Sequence, residues 1–173
     1  FELLTPEDGV PPAMQARLCR LLAQAAGADG MAGGQAIDLA SVGRSLSEHE
    51  LRHMHRLKTG ALLQASVVMG AACGAPGPQA EQALAQYGAA LGLAFQVVDD
   101  VLDVTQDSAT LGKTAGKDAA SDKPTYVSLM GLAAAQAHAE ELRGQAHAAL
   151  AASGLSDTRA LAALADMVVR RSH

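Results

Sequence analysis

Phe95-Gln96-Val97-Val98-Asp99-Asp100-Val101-Leu102-Asp103 is the stretch on which the reading of this chain turns. Leu84 and Leu91 upstream, then Phe95, Val98 and Leu102, recur at helical spacing, which predicts a helix from Pro78 to about Val104. Near its C-terminal end the helix carries carboxylates at i, i+1 and i+4. Gln96, Asp99, Asp100 and Asp103 are expected to share one face, with Val98 and Leu102 pointing inward. Three anions so placed repel one another and also meet the negative end of the helix dipole, so something positive has to compensate.

Bulk water can do this, leaving a solvated acidic helix end. A hard divalent cation does it better: Mg²⁺ takes one or two protein carboxylates and fills its other positions with water and phosphate oxygens. Downstream, Lys113, Lys117 and Lys123 lie in a polar loop with Gly112 and Gly116, where ammonium groups can close over an anion. Upstream, Lys58-Thr59-Gly60 sits within a helix that otherwise reads as buried. It offers a cation, a hydroxyl and a position without a side chain, which suits a phosphate and equally suits a polar turn with a snorkelling lysine. His49 and His53 have the spacing of a metal pair, but no third ligand is spaced to complete it.

The rest of the chain fits one all-α domain. Its 173 residues are 49% hydrophobic but only 2% aromatic, with a single isoleucine at Ile37, a mix that favours helices over strands. A first helix follows Pro11 and Pro12, and a second, glycine-rich one spans 33–40 and stops at Gly43. Ser47 and Glu50 form a capping-box pattern opening a long helix to about Cys73. After the polar loop from Thr105 to Lys123, one helix is expected from Pro124 toward Ser153. Ser156 or Asp157 then caps a last helix, with Arg170 and Arg171 at its C-terminal dipole. The net charge of -5 excludes a nucleic-acid reader relying on a basic face, and no apolar run is long enough to span a bilayer. Cys19 and Cys73 match no metal spacing and read as buried free thiols of a cytoplasmic protein.

Four motifs in order, Gly-Gly-Gln-Ala-Ile-Asp-Leu (33–39), Lys-Thr-Gly-Ala-Leu (58–62), Gly-Leu-Ala-Phe-Gln-Val-Val-Asp-Asp-Val-Leu-Asp-Val (92–104) and Leu-Gly-Lys-Thr-Ala-Gly-Lys-Asp (111–118), resemble the trans-isoprenyl diphosphate synthases, above all the farnesyl-forming enzymes of bacteria. The resemblance runs through the whole chain and implies the C-terminal portion of an isoprenoid-synthase helical bundle, residues 1–173 forming the C-terminal part of one polyprenyl synthetase domain. It further implies Mg²⁺-dependent condensation of geranyl or dimethylallyl diphosphate with isopentenyl diphosphate to farnesyl diphosphate, in a homodimer.

By the same resemblance Asp99, Asp100 and Asp103 are metal ligands, and Lys58, Lys113 and Lys123 hold the allylic diphosphate. Thr59 and Gln96 line the reacting carbons, so Lys58, Thr59 and Gln96 carry the catalysis, and Phe95 and Gln96 border the isopentenyl site. The family's first aspartate-rich motif and its Gly-Lys-Arg-x-Arg segment have no counterpart in the chain, which opens Phe-Glu-Leu-Leu. The expectation is therefore a piece of a longer enzyme, inactive by itself. The rival expectations are a non-catalytic helical subunit that pairs with a complete synthase, and a helical bundle binding divalent cations without diphosphate.

Overall fold

A computed structural model describes residues 1–105 and 124–171. The loop lysines Lys113, Lys117 and Lys123 lie outside the described residues. After a short 3₁₀ turn at Glu2–Leu4, the chain forms α1 (Pro12–Ala26), α2 (Met31–Ala40), α3 (Glu48–His55), a π turn (Arg56–Gly60), α4 (Ala61–Gly74) and α5 (Pro78–Thr105). Beyond the loop come α6 (Tyr126–Met130), α7 (Leu132–Ala152) and α8 (Arg159–Arg170). Among the described residues there is no strand, as the composition predicts.

The 28 residues of α5 span about 42 Å at 1.5 Å per residue, and α3, the π turn, α4, α6, α7 and α8 pack on this rod, with α1 and α2 lying on α4 and the π turn. Its most extensive neighbours are α7 on one side and α4 on the other. Toward its C-terminal half, Ala94, Val97, Val98 and Val101 pack with Leu51, Met54, Tyr126, Ala135 and Leu142. Toward its N-terminal half, Leu84, Tyr87 and Leu91 pack with Ala146, Leu150, Ala165 and Val168 of α7 and α8. The alanines have a consequence for the geometry: small side chains fill little space, so the helices must approach closely to exclude water. Gly88 shows how closely, since a Cβ there would lie 2.9 Å from Gln64 Cα in α4.

The predicted capping box is present: Ser47 Oγ accepts from the Glu50 amide, and the Glu50 carboxylate accepts from the Ser47 amide. Elsewhere the structure differs from the sequence reading. The helix expected from Pro124 to Ser153 is broken at Gly131, whose φ of +83° takes the chain out of α6 before α7 begins. The second helix begins at Met31, earlier than the glycines suggest. Asp157 accepts from the Arg159 amide and so serves the start of α8. Cys19 is only half-buried and Cys73 is exposed, so neither is the buried thiol expected. No described helix is long and apolar enough to cross a membrane.

Candidate active site

The long helix predicted from Ser47 follows one path to Gly74, but it widens at Arg56–Gly60, the segment that holds Lys58 and Thr59. An i→i+5 turn inserts a residue into the helical ladder and turns everything after it by roughly 100° relative to an α-helix. Two bare backbones press on this turn. A Cβ on Gly34 of α2 would lie 2.2 Å from the Lys58 amide nitrogen, and one on Gly92 of α5 would lie 2.7 Å from Gly60 Cα. Any side chain at either glycine would push α2 or α5 off the widened turn.

Gripped in this way, the turn directs its side chains to specific partners. The Lys58 ammonium donates to Asp38 Oδ2 at 2.7 Å, one turn along α2 from Gly34. Asp38 is buried while the Lys58 side chain keeps 31% of its exposure, so the cation is anchored from inside and still reaches solvent. Beneath it His55 is buried, its ring stacked on Tyr126 with centroids 5.7 Å apart. Burial pushes the His55 pKa down to about 4, the Lys58 charge adds to that, and the Asp38 charge opposes it. Burial likewise raises the Tyr126 phenol to about 12, against the pull of nearby Arg52.

A second set of bonds joins the turn to α5 and α6. Thr59 Oγ1 donates to Gln96 Oε1 (3.2 Å), and Gln96 Nε2 donates to Asp100 Oδ1 (3.1 Å). The other oxygen of Asp100 accepts from the Tyr126 amide (2.8 Å). The line Thr59–Gln96–Asp100–Tyr126 thus crosses three elements that sequence reading treats separately.

The three aspartates do not share one environment. Asp100 is 3% exposed and Asp103 9%, whereas the Asp99 side chain retains 43%. Successive helical residues differ by about 100° in direction, which carries Asp100 off the face of Asp99 and into the interior. Asp99 is paired with Arg171, whose guanidinium also lies 3.9 Å above the Phe95 ring and donates to the Phe95 carbonyl oxygen (2.9 Å). Val98 is buried, as expected, and Leu102 only half so. Among the described residues no three His, Cys, Asp or Glu side chains converge as a metal cluster.

The structure therefore brings Thr59 and Gln96 together, places Lys58 on the same turn, and sets Phe95 and Asp99 against one arginine. Lys113 and Lys123 lie outside the described residues. Sequence reading assigned no role to Asp38 and placed Arg171 at the dipole of its own helix. The signal for Asp38 was available: it is the single charge in α2, one turn from Gly34. Nothing local marks Arg171, whose partners are more than 70 residues away along the chain.

Known proteins of similar sequence and fold identify the family. The profile of the family described as polyprenyl synthetase matches residues 7–161. The chain is 46% identical over 154 residues to a farnesyl diphosphate synthase of Escherichia coli, covering 87% of this chain and 52% of that protein. It is 40% identical over 176 residues to the chloroplastic geranylgeranyl pyrophosphate synthase 7 of Arabidopsis thaliana, covering 100% of this chain and 51% of that one. Among solved structures, a geranyltransferase of Helicobacter pylori complexed with magnesium and isoprenyl diphosphate superposes with a TM-score of 0.80 at 31% identity, over 97% of this chain and 55% of that chain. The chain spans about half the length of the curated relatives it matches. A match of that extent, over helices that hold Lys58, Thr59, Gln96 and the aspartates in one bundle, leaves one assignment: the chain belongs to the polyprenyl synthetase family.

Proposed function

We propose that this chain supplies the allylic-diphosphate half of a prenyltransferase site that joins geranyl or dimethylallyl diphosphate to isopentenyl diphosphate and yields farnesyl diphosphate. One observation carries the reading: the π turn holds a half-exposed ammonium, Lys58, next to a hydroxyl, Thr59, that is bonded to Gln96 across the gap to α5. The similarity to synthases named for farnesyl diphosphate supports that product over the longer geranylgeranyl chain.

In this reading the chain's own residues act as follows. The Lys58 ammonium, anchored by buried Asp38, meets the negative charge that grows on the departing diphosphate as the carbon–oxygen bond breaks. The oxygens of Thr59 and Gln96 present the negative ends of their dipoles to the carbon that becomes positive. The Phe95 ring, one face of which is covered by the Arg171 guanidinium, borders the isopentenyl site in this reading. Asp99, whose carboxylate keeps 43% of its exposure, is a hard oxygen donor that fits Mg²⁺, an ion that takes one or two protein carboxylates, with Asp103 one helical turn further on. When bound there, Mg²⁺ neutralises charge on the diphosphate leaving group. A homodimer and a cytoplasmic setting go with the same reading.

The test is turnover of geranyl and isopentenyl diphosphates with Mg²⁺ by the protein encoded by the complete gene. Product of farnesyl length is expected, with Asp99→Ala lowering the rate by about a hundredfold or more. Full activity in Asp99→Ala overturns the assignment.

A further inference from the structure

We propose that Asp100 is a positioning residue for Gln96, and that the adjacent acids of the motif Asp-Asp-x-x-Asp are thereby divided: Asp99 serves the diphosphate side and Asp100 serves the carbon side. The inference rests on the prenyl-transfer reading above, because it is the orientation of Gln96 toward the reacting carbons that Asp100 would set.

A carboxamide has two ends of nearly equal size and opposite polarity, so packing alone cannot choose between its two orientations. Hydrogen bonds choose. Asp100 Oδ1 can only accept, so it selects the NH₂ end of Gln96 and turns Gln96 Oε1 toward Thr59, whose hydroxyl donates to it. Asp100 in its turn is held by the Tyr126 amide on its other oxygen, from an element 26 residues further along the chain. At 3% exposure it is far less accessible than Asp99. A carboxylate bonded on both oxygens by protein donors is suited to fixing a neighbour in place. A dipole aimed at a developing cation is effective only if it does not have to reorient as the charge appears.

Asp100→Asn is the discriminating change. Asparagine keeps one acceptor oxygen and gains an NH₂, so it can serve either the Gln96 amide or the Tyr126 amide but not both. In the protein encoded by the complete gene, this variant is expected to lose about 10- to 100-fold in turnover, with the Mg²⁺ concentration for half-maximal rate unchanged within about twofold. Combined with Gln96→Ala, it is expected to cost less than about threefold beyond Gln96→Ala alone, since the group it acts through is gone. A shift of about tenfold or more in the Mg²⁺ requirement, or losses that multiply in the double variant, overturns the proposal.

The second readout is independent of turnover: the side-chain ¹⁵N–¹H signals of Gln96, identified by their loss in Gln96→Ala. In the unmodified protein the two protons are expected to be split more widely than in a solvated glutamine amide, with one protected from exchange, and in Asp100→Asn the splitting and the exchange rate are expected to return to those of the solvated amide. A Gln96 amide in the unmodified protein with the splitting of a solvated glutamine and no protection from exchange overturns the proposal even if no Asp100 variant folds. Absence of prenyl transfer by the unmodified protein overturns instead the reading on which the proposal rests, and the amide signals still decide the bond.

Discussion

His55 ties the stability of the bundle to pH in a way that can be calculated. Its ring is 6% exposed, and neither ring nitrogen has a hydrogen-bond partner among the described residues. The charged and titratable groups facing it come from three elements: Asp38 on α2, Lys58 on the π turn and Tyr126 on α6, and His138 on a fourth, α7, lies against the Tyr126 ring. In the folded chain the imidazole stays neutral until the pH falls to about 4, whereas the unfolded chain takes up the proton at the ordinary 6.5. Above pH 7 both states are neutral and the group contributes no pH dependence. As the pH falls below 6.5 only the unfolded state gains the proton, so stability is lost until the folded state also titrates near 4.

The complete loss is about 3 kcal/mol, and about 2 kcal/mol of it is expended by pH 5. Urea unfolding at pH 7.5 and at pH 5 measures this directly in the unmodified protein and in His55→Leu. Carboxylates titrate in both, so the difference between the two pH dependences isolates the imidazole. The unmodified protein is expected to lose about 2 kcal/mol more than the variant. Because the buried imidazole carries an unsatisfied N–H, His55→Leu at pH 7.5 is expected to cost no more than about 1 kcal/mol. Parallel pH curves for the two proteins refute the reasoning, and with it the placement of a neutral histidine under Lys58.

Two further predictions concern the packing of the π turn. Gly92→Ala puts a Cβ 2.7 Å from Gly60 Cα and is expected to destabilise by about 1–3 kcal/mol in urea unfolding, whereas Gly144→Ala on α7 meets nothing within 4 Å and is expected to stabilise by up to about 1 kcal/mol. Equal effects at the two glycines contradict the close approach of α5 to the turn. The Asp38–Lys58 pair is expected to show a coupling of about 1–2 kcal/mol in a double-mutant cycle of Asp38→Asn and Lys58→Met followed by thermal unfolding, and strict additivity contradicts the bond.

The parts of this fold that could be read from sequence are those decided within one or two turns of chain. The capping box at Ser47 and Glu50 is closed by residues three apart. The apolar rhythm that led to α5 is likewise contained in α5 itself. The π turn was not legible, because Lys58-Thr59-Gly60 by itself is compatible with an α-helix. The widened turn is met by Gly34 from 24 residues earlier and Gly92 from 32 residues later, and neither contact leaves a mark on the local pattern. Arg171 failed to be read for the same reason, its partners being on α5. Gly131 is a different case: a lone glycine near the start of an alanine-rich run is tolerated in a helix as often as it ends one, and only its positive φ decided.

The aspartate motif shows why residue type and spacing do not fix role. Like-charge repulsion made the sequence reading demand a cation for all three carboxylates together. In the folded chain the demand is met piecemeal. Asp99 has the Arg171 guanidinium. Asp100 has two N–H donors, a weaker but directional form of the same compensation. Asp103, nearly as buried as Asp100, lies one turn beyond Asp99. Helical geometry thus separates a motif that looks uniform in sequence into a partly exposed acid that meets Arg171 and an interior acid that accepts from the Gln96 and Tyr126 amides. The first can exchange the Arg171 guanidinium for a metal or a substrate without disturbing Gln96 or the start of α6. The second cannot exchange without freeing both Gln96 and the start of α6. Any account of the site that gives the two the same task has to explain why their surroundings were built so differently.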